Sequence, residues 1–497
     1  MRWNTDNSFV RELPEFYAES EPTPVRAPEL VVLNEQLADQ LGLSVDELRS
    51  PDGVAVLGGN EIPDGAHPIA QAYVGHQFGN FNPSLGDGRA HLLAEVIDRD
   101  GNRYDIGLKG SGRTRFSRNG DGRAALGAML REYIVSEAMH SLHIATTRSL
   151  AVVATGETVI RQPPSPGAVL TRVAASHIRV GTFELFRTSG DAALLARLVE
   201  YVRARHYPDL EEGDAAALLE AVVGRQAELI AAWMSVGFIH GVMNTDNMTL
   251  SGETIDYGPC AFMEGYDPDA VFSSIDHNGR YRYRNQPQIA VWNLARLAEV
   301  LLMLTPEPSQ DDIARYEAIL GAFDGRYEAA RLRLFRAKLG IDDRSDRGGV
   351  DGDFDAADTE LIDDLLVWMA AERRDFTSTF RNLAQSLRHS NSNLDAIVAS
   401  SRDGETFVRW RNRWLDRLGD VDRDEIAEAM DRVNPIYIPR NHLVEAALAA
   451  ANKGDLAPTN ALIEAIRQPF NEREGLEAFA EPAPDSFTSG YVTYCGT

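Results

Sequence analysis

The sequence predicts an α+β protein with two lobes, a small mixed α/β lobe over residues 1–182 and a larger, mainly helical lobe over residues 183–497. The length of 497 residues fits two domains of ordinary size. Glycine-rich sequence with strand-like runs fills much of the first third of the chain, which predicts a small sheet. Helical periodicity dominates from about residue 183 onward. A cleft between two such lobes is a common place for a ligand.

The elements of the N-terminal lobe follow in chain order. The first sixty residues are expected to be helical and irregular, and Ser44 has the spacing of a helix N-cap. Turn residues over 162–167 predict a hairpin between two strands. Apolar residues at strand and helix spacing predict the remaining elements. These are strands over 90–97, 104–109, 149–155 and 168–174, and one long helix over 124–142.

The C-terminal lobe is predicted from long runs that carry apolar residues at helical spacing. No internal repeat or low-complexity tract interrupts them. The predicted helices cover residues 190–206, 214–236, 288–304, 310–338, 358–389 and 442–468.

The acidic run 351–358 resembles the start of a calcium-binding loop, because aspartates stand at alternate positions. Its turn position holds Ala356 instead of glycine, and its twelfth position holds Ile362 instead of glutamate. We therefore predict a solvated acidic loop and no calcium site.

Acidic residues outnumber basic ones by 75 to 49, which gives a net charge of −26. Only three residues are lysines: Lys109, Lys338 and Lys453. A strongly acidic, lysine-poor surface is typical of halophilic proteins, because concentrated salt screens like-charge repulsion. An acidic protein from a high-GC genome has the same composition, so both interpretations stay open. No basic stripe is present to neutralise phosphates, so no nucleic-acid partner is expected.

The cysteine and hydropathy patterns exclude further classes. Two cysteines, Cys260 and Cys495, are too few for a disulfide-rich scaffold or a multi-cysteine metal protein. No apolar run approaches the ~18 residues of a membrane span, so no membrane partner is expected. The N-terminus lacks the basic-then-apolar layout of a signal peptide. These features predict a soluble, cytoplasmic protein, and they leave its oligomeric state open.

Two motifs of the N-terminal lobe suit an anionic ligand. Residues 85–90 (LGDGRA) precede a strand, and such glycines let backbone N–H groups approach phosphate oxygens. Lys109 ends a strand before Gly110 and can neutralise a polyphosphate. A glutamate of the following helix, either Glu132 or Glu137, can hold that lysine. A surface lysine and an ordinary turn are the alternative interpretations.

Two motifs of the C-terminal lobe suit a hard cation and a proton acceptor. The run 237–248 contains Asp246 and Asn247, and Asp256 follows in 254–259 (TIDYGP). Carboxylate and amide oxygens are ligands that Mg²⁺ prefers, and it keeps room for substrate phosphates. The remaining carboxylate is available to accept a hydroxyl proton. Each motif alone is equally consistent with a polar turn.

The order of these motifs is that of a protein-kinase-like phosphotransferase, with a glycine loop, a strand lysine, a helix glutamate and acidic loops. The chain departs from that pattern, because it has no His-Arg-Asp run and because Asp246 and Asn247 are adjacent. With these departures, the sequence resembles the selenoprotein O family, whose members are kinase-like. The matching stretches are residues 73–79, 85–89, 107–112, 118–123, 243–248, 256–259 and 434–441, together with Cys495.

The resemblance implies an adenylyltransferase that moves AMP from ATP to Ser, Thr or Tyr hydroxyls of proteins, with ATP in a flipped orientation and Mg²⁺ or Mn²⁺ as the metal. It implies Asp246 as the base, with Asn247 and Asp256 as metal ligands. It also implies that Glu132 pairs with Lys109. The residues that it implies for ATP binding are Gly86, Gly88, Arg89, Lys109, Asp121, Gly122, Arg172, Arg179 and Asp256.

Two alternatives and one further hypothesis remain from the sequence. A kinase uses the same groups when the γ-phosphorus faces the acceptor, and the spacing does not separate the two reactions. A catalytically silent nucleotide-binding regulator is the second alternative, which the complete set of polar residues disfavours. Cys495 resembles the family's C-terminal redox position, and we hypothesise a redox-sensitive pair with Cys260, which follows the metal motif.

Overall fold

An antiparallel sheet forms the centre of the N-terminal part of the protein. The structure, a computed structural model, describes residues 1–341, 351–388, 398–399 and 401–494. The strands of this part are β1 (Tyr17–Glu19), β2 (Glu29–Leu33), β3 (Ile69–Gln71), β4 (Gly75–Gln77), β5 (Asn80–Asn82), β6 (Ala90–Ile97), β7 (Arg103–Lys109), β8 (Ala124–Ala125), β9 (Arg148–Val159) and β10 (Ser165–Ala174). The strand order in the main sheet is β1-β3-β6-β7-β10-β9-β2, and β8 pairs with β10. Strands β4 and β5 form a separate hairpin.

The register of β7 and β10 puts two cationic side chains on one face of the sheet. Lys109 lies opposite Leu170, and Gly107 lies opposite Arg172. Directly opposed residues share a face, and so do residues two apart along a strand. Lys109 and Arg172 therefore project from the same face, close to the ends of their strands.

Helix α5 (Leu126–Ser141) covers that face, and its apolar residues pack with Leu170 and Val152 of the sheet. The opposite face packs against three short helices, α2 (Glu35–Gln40), α3 (Val45–Arg49) and α4 (Pro51–Leu57). Polar side chains of α5 are consequently placed beside the cations of β7 and β10.

Helices dominate the rest of the described chain. Most of them share one large apolar core, to which the helices over 215–235, 286–302 and 310–338 contribute many residues. The helices are α1 (Ser8–Glu12), α6 (Val180–Glu184), α7 (Phe186–Ser189), α8 (Ala192–His206), α9 (Ala215–Ser235), α10 (Gln286–Leu302), α11 (Gln310–Lys338), α12 (Asp351–Glu372), α13 (Phe376–Arg388), α14 (Gly404–Leu418), α15 (Arg423–Asp431), α16 (Asn441–Ala451), α17 (Ala457–Ile466), α18 (Glu477–Ala480) and α19 (Asp485–Thr488).

A small two-stranded ribbon interrupts the helices. Strand β11 (Phe238–Ile239) pairs antiparallel with β12 (Ala261–Phe262). The connection between them contains a single 3₁₀ turn, Thr245–Asn247. The ribbon therefore gathers both polar motifs of the C-terminal part into one loop region.

The strand predictions and the long helix of the first third are confirmed, with ends shifted by a few residues. The predicted hairpin joins β9 to β10, and the Ser44 side chain accepts a hydrogen bond from the backbone N–H of Glu47 at the start of α3. The first sixty residues also contain β1 and β2, which the sequence analysis missed. Both are short strands with no clear alternation of burial.

Two predicted helices are each divided in two. The run 358–389 becomes α12 and α13, because Arg373 adopts a left-handed backbone, φ +52°, between them. The run 442–468 becomes α16 and α17, and Gly454 turns the chain with φ +88°. Helices α14 and α15 were not predicted. In the described part of the chain, no helix has the length and apolar character needed to cross a membrane.

The prediction of a solvated acidic loop over 351–358 is wrong. These residues begin helix α12. Asp358 is fully buried, and its carboxylate oxygens accept hydrogen bonds from Arg336 Nε at 2.7 Å and Arg417 Nε at 2.7 Å. The spacing of the aspartates resembles that of a loop, but these residues are helical, and two partly buried arginines compensate the charge of the innermost aspartate.

Candidate active site

A cleft of about 480 Å³ collects residues from the sheet, the glycine-rich segments and the loop between β11 and β12. Of the residues that the family resemblance implies for catalysis, metal binding and ATP binding, all but one line it. They are Gly86, Gly88, Arg89, Lys109, Asp121, Gly122, Arg172, Arg179, Asp246, Asn247 and Asp256. The exception, Glu132, is buried behind the cleft on α5 and contacts it through Lys109.

An ion cluster around Asp256 forms part of the cleft lining. Lys109 Nζ lies 2.5 Å from Asp256 Oδ1 and 2.6 Å from Glu132 Oε2. Arg172 Nη1 lies 2.7 Å from the same Asp256 oxygen, and Arg179 Nη1 lies 3.4 Å from its Oδ2. Three cations thus share two carboxylates, which leaves excess positive charge facing the cleft.

Glu132, and not Glu137, is the glutamate that holds Lys109. Its second oxygen, Oε1, accepts a hydrogen bond from Arg172 Nη1 at 3.2 Å. Glu137 instead accepts two hydrogen bonds from Arg148, at 2.8 and 2.7 Å. The structure therefore resolves the alternative that the sequence left open.

The whole cleft is basic, although the protein carries a net charge of −26. Seven arginines and lysines line it, against four aspartates. Arg89 Nη1 and Arg179 Nη2 are buried and have no hydrogen-bond partner among the described residues. Buried donors without partners are costly, and an anion in the cleft satisfies them. The lining therefore fits a polyanionic ligand such as a nucleoside triphosphate.

Two glycine-rich segments form one wall of the cleft. Gly86 has φ +108°, and a Cβ there would lie 2.6 Å from the ring of Phe116. Gly122 has φ +71°, and a Cβ there would lie 2.2 Å from the backbone of Gly112. A side chain at either position is excluded, so the backbone itself lines the cleft here.

Asp246 lies in the 3₁₀ turn at the mouth of the ion cluster. Gln77 Nε2 donates to its Oδ2 at 3.3 Å, whereas its Oδ1 is buried and has no partner among the described residues. Arg179 Nη1 donates to its backbone carbonyl at 3.2 Å. Burial raises the pKa of Asp246 to about 6, against the attraction of Arg179. The carboxylate is therefore ionised at neutral pH and retains an oxygen that can accept a proton.

Asn247 and Asp256 supply oxygens that fit a hard divalent cation. The Asn247 amide nitrogen donates to the Val242 carbonyl at 2.9 Å, so its amide oxygen is the atom left for a cation. Burial opposes ionisation of Asp256, but Lys109 and the two arginines outweigh it and hold its pKa well below the usual range. Asp256 also has a left-handed backbone, φ +62°, a conformation that is strained for an aspartate and clusters at functional sites.

Three further residues of the cleft, for which the sequence predicts no role, contact residues of the predicted site. Tyr73 lies beneath Arg179, with the guanidinium carbon 4.5 Å from the ring centroid. Gln77 donates a hydrogen bond to the Asp246 carboxylate. Arg161 pairs with Asp121 through contacts of 2.8 and 3.0 Å. Only the resembling stretch 73–79 could have indicated the first two, and nothing local distinguishes Arg161 from the other arginines.

Of the two cysteines in the hypothesised redox pair, only Cys260 lies within the described residues. Cys495 lies outside the described residues, so the redox pair stays a prediction. Cys260 is fully buried, and two residues before Cys495 the Thr493 hydroxyl donates to the Pro259 carbonyl at 2.8 Å. The C-terminal segment therefore contacts the residue that precedes Cys260.

We expect Cys260 of the reduced, folded protein to resist alkylation. Burial raises the pKa of its thiol to about 12, so very little reactive thiolate is present at pH 8. Iodoacetamide labelling of Cys260, followed by peptide mass spectrometry, should be at least about a hundredfold slower than after unfolding in guanidinium chloride. Comparable rates in the two states would contradict the buried placement.

Fold and site together have the features of an enzyme that transfers a phosphorus-containing group. A family model described as "Protein adenylyltransferase SelO" matches residues 1–467, and the chain belongs to this family.

Close relatives match along the entire chain. The chain is 54% identical over 501 residues to a protein nucleotidyltransferase YdiU of Cereibacter sphaeroides, and the match covers all of both chains. It is 54% identical over 492 residues to the protein of the same name from Mycolicibacterium paratuberculosis, covering 98% of this chain and 97% of the relative. The corresponding protein of Mycolicibacterium smegmatis is 52% identical over 495 residues, with the same coverage.

Proposed function

We propose that this protein is an adenylyltransferase that transfers AMP from ATP to Ser, Thr or Tyr hydroxyls of protein substrates and releases pyrophosphate. The observation that carries the proposal is the ion cluster of Lys109, Arg172 and Arg179 around Asp256, next to the free oxygen of Asp246. The names of the relatives, at 52–54% identity over the whole chain, support the same class of reaction.

The three cations of the cluster bind the triphosphate in this proposal, and Arg89 adds a fourth from the glycine-rich wall. Glu132 fixes the Lys109 ammonium so that it does not move with the ligand. Backbone around Gly86, Gly88, Asp121 and Gly122 lies close enough to the cleft to accommodate phosphates without side-chain obstruction. Preorganised donors of this kind stabilise the charge that develops on the transferred group.

Asn247 and Asp256 would hold Mg²⁺, or Mn²⁺ in its place. Two protein oxygens suit such an ion, because it takes its remaining ligands from phosphate and water. In the described part of the chain, no cluster of three or more His, Cys, Asp or Glu side chains is arranged to hold a metal without such help. When bound, the cation neutralises phosphate charge.

Asp246 accepts the proton of the attacking hydroxyl through its carboxylate. The hydroxyl oxygen forms a bond to the α-phosphorus of ATP, the bond from that phosphorus to the bridging oxygen breaks, and pyrophosphate leaves with that oxygen. Gln77 donates a hydrogen bond to one carboxylate oxygen, which fixes the orientation of the Asp246 side chain. This general-base role is the chemistry for which a buried, ionised carboxylate is suited.

We further propose that the chain is a kinase-like, two-lobed protein divided near residue 182 and that it works in the cytoplasm. The sheet with α5 lies before that boundary, and the loop between β11 and β12 lies after it with most of the helices. Cytoplasmic ATP supplies the substrate. The acidic, lysine-poor composition supports a salt-rich cytoplasm, in which a basic cleft in an acidic protein keeps its short-range contacts with phosphate.

ATP labelled separately at the α- and γ-phosphorus tests the proposal. We expect the enzyme, with Mg²⁺ and with casein as a hydroxyl-bearing acceptor, to place label on protein from α-labelled ATP only. Label from γ-labelled ATP only would identify a kinase and overturn the proposal. No label from either, with ATP binding shown by calorimetry, would identify a silent nucleotide-binding protein and would also overturn it.

A further inference from the structure

Behind the cleft, His177 contacts the side of Arg172 that faces away from the ligand space. We propose that His177 is a positioning residue, whose imidazole fixes the Arg172 guanidinium in the orientation that binds the polyphosphate. The inference rests on the proposed function, because it takes Arg172 to be a ligand of ATP. His177 itself lies outside the set of residues that the sequence analysis singled out.

The hydrogen bonds define one state of the imidazole. Arg172 Nε donates to His177 Nε2 at 3.1 Å, and an arginine nitrogen has no lone pair with which to accept. His177 Nε2 therefore carries the lone pair, and its proton is on Nδ1. That nitrogen lies 3.0 Å from Asp105 Oδ2, which accepts the proton's hydrogen bond. The ring is consequently neutral and held in a single tautomer.

Asp105 is itself anchored, so the imidazole has a rigid support. Its Oδ2 also accepts a hydrogen bond from the His177 backbone N–H at 2.8 Å. Its Oδ1 lies 2.6 Å from Arg205 Nη2, and Arg205 Nη1 lies 2.6 Å from Glu95 Oε1. Glu95, Asp105 and His177 are buried, and only 6% of the Arg205 side chain is exposed. The network joins strands β6 and β7 to helix α8 and ends at Arg172.

The sheet also leaves space for the ring. Gly107 lies opposite Arg172 in the register of β7 and β10. A Cβ at Gly107 would lie 3.3 Å from Cε1 of His177, closer than most such contacts. Glycine at this position therefore lets the imidazole reach the Nε side of Arg172. Burial lowers the pKa of His177 against the attraction of Asp105, which agrees with a neutral ring.

Holding Nε determines what the rest of the guanidinium can do. Arg172 Nη1 contacts Glu132 and Asp256 at the floor of the cleft. Lys109 and Arg179 contact the same Asp256 and repel Arg172. With the Nε edge occupied by His177, the Nη edge stays directed toward the cleft in spite of that repulsion. Without the imidazole, we expect the guanidinium to leave this orientation more often and to bind phosphate less tightly.

Two conservative variants separate positioning from packing. In His177→Gln, the side-chain oxygen reaches the place of Nε2 and can still accept from Arg172. In His177→Asn, the shorter side chain reaches only the place of Nδ1 and leaves Arg172 Nε without an acceptor. We expect the Kd for a non-hydrolysable ATP analogue, measured by calorimetry, to rise about tenfold in His177→Asn and less than threefold in His177→Gln. Steady-state kinetics should show the same order in KM for ATP, with a smaller change in kcat.

Gly107→Ala is a second test that removes no polar group. Its methyl group displaces the ring from Arg172, so we expect weaker binding of the analogue by severalfold, with the thermal unfolding midpoint changed by only a few degrees. Unchanged binding in Gly107→Ala, or equal losses in the Gln and Asn variants, would overturn the positioning role.

Arg172→Lys distinguishes failure of this inference from failure of the proposed function. We expect this variant to bind the analogue at least tenfold more weakly, because lysine lacks the planar pair of donors. If Arg172→Lys binds as tightly as wild type, Arg172 is not a phosphate ligand and the proposed function loses its support. If Arg172→Lys weakens binding but His177→Asn does not, only the role of His177 is refuted.

Discussion

Replacing Asp246 with asparagine is expected to reduce AMP transfer by at least about a hundredfold, the usual contribution of a general base. Asparagine has the same shape and can keep the contact with Gln77, but it has no basic oxygen for the hydroxyl proton. Binding of a non-hydrolysable ATP analogue should change by less than about threefold, because the proposal places Asp246 at the acceptor hydroxyl and not at the phosphates. The measurement is the rate of label transfer from α-labelled ATP at saturating substrate.

Asp98→Asn is the matched control for this experiment. Asp98 is as well buried as Asp246, but its carboxylate only closes the turn between β6 and β7, where it accepts hydrogen bonds from Asp100 and Asn102. We expect its transfer rate to stay within about twofold of wild type. An Asp246→Asn enzyme that kept more than a tenth of the wild-type rate would show that another group, or bulk water, accepts the proton.

Local periodicity predicted the sheet strands and helix α5 because their apolar residues are spaced regularly over many positions. It did not decide between Glu132 and Glu137, since both lie on the same helix. Five residues correspond to about 140° of rotation around an α-helix, so only one of the two can face Lys109. The structure turns Glu132 to the ion cluster and Glu137 to Arg148 on β9. Knowing which face of the helix meets the sheet requires tertiary structure.

Other features of the site depend on contacts between distant segments. Tyr73 and Gln77 reach Arg179 and Asp246 across more than a hundred residues of chain. His177 is predictable from the sequence only if the register of β7 and β10 is known, because that register brings Gly107 beside it. By contrast, motif spacing and family resemblance named eleven residues that line the cleft, because most of them lie in short glycine-rich or polar segments that fold locally.

Asp256 occupies two conflicting roles, and its substitution should reveal both. As an anion, it competes with phosphate for Lys109, Arg172 and Arg179. As a proposed metal ligand, it recruits the cation that helps to bind the same phosphates. Asp256→Asn removes the competing charge and weakens the metal site. We therefore expect the variant to bind an ATP analogue in EDTA at least as tightly as wild type does.

With Mg²⁺ present the order should reverse. Wild type should bind the analogue more tightly in Mg²⁺ than in EDTA, whereas Asp256→Asn should show little difference between the two. AMP transfer by the variant should fall by about a hundredfold or more, since charge stabilisation of this kind supplies factors of that size. Calorimetry in both buffers, with Asp98→Asn as control, measures the reversal. If Mg²⁺ enhances binding of the analogue equally in wild type and variant, the metal is held by other ligands. If the variant binds the analogue more weakly than wild type in EDTA, Asp256 organises the three cations more than it competes for them.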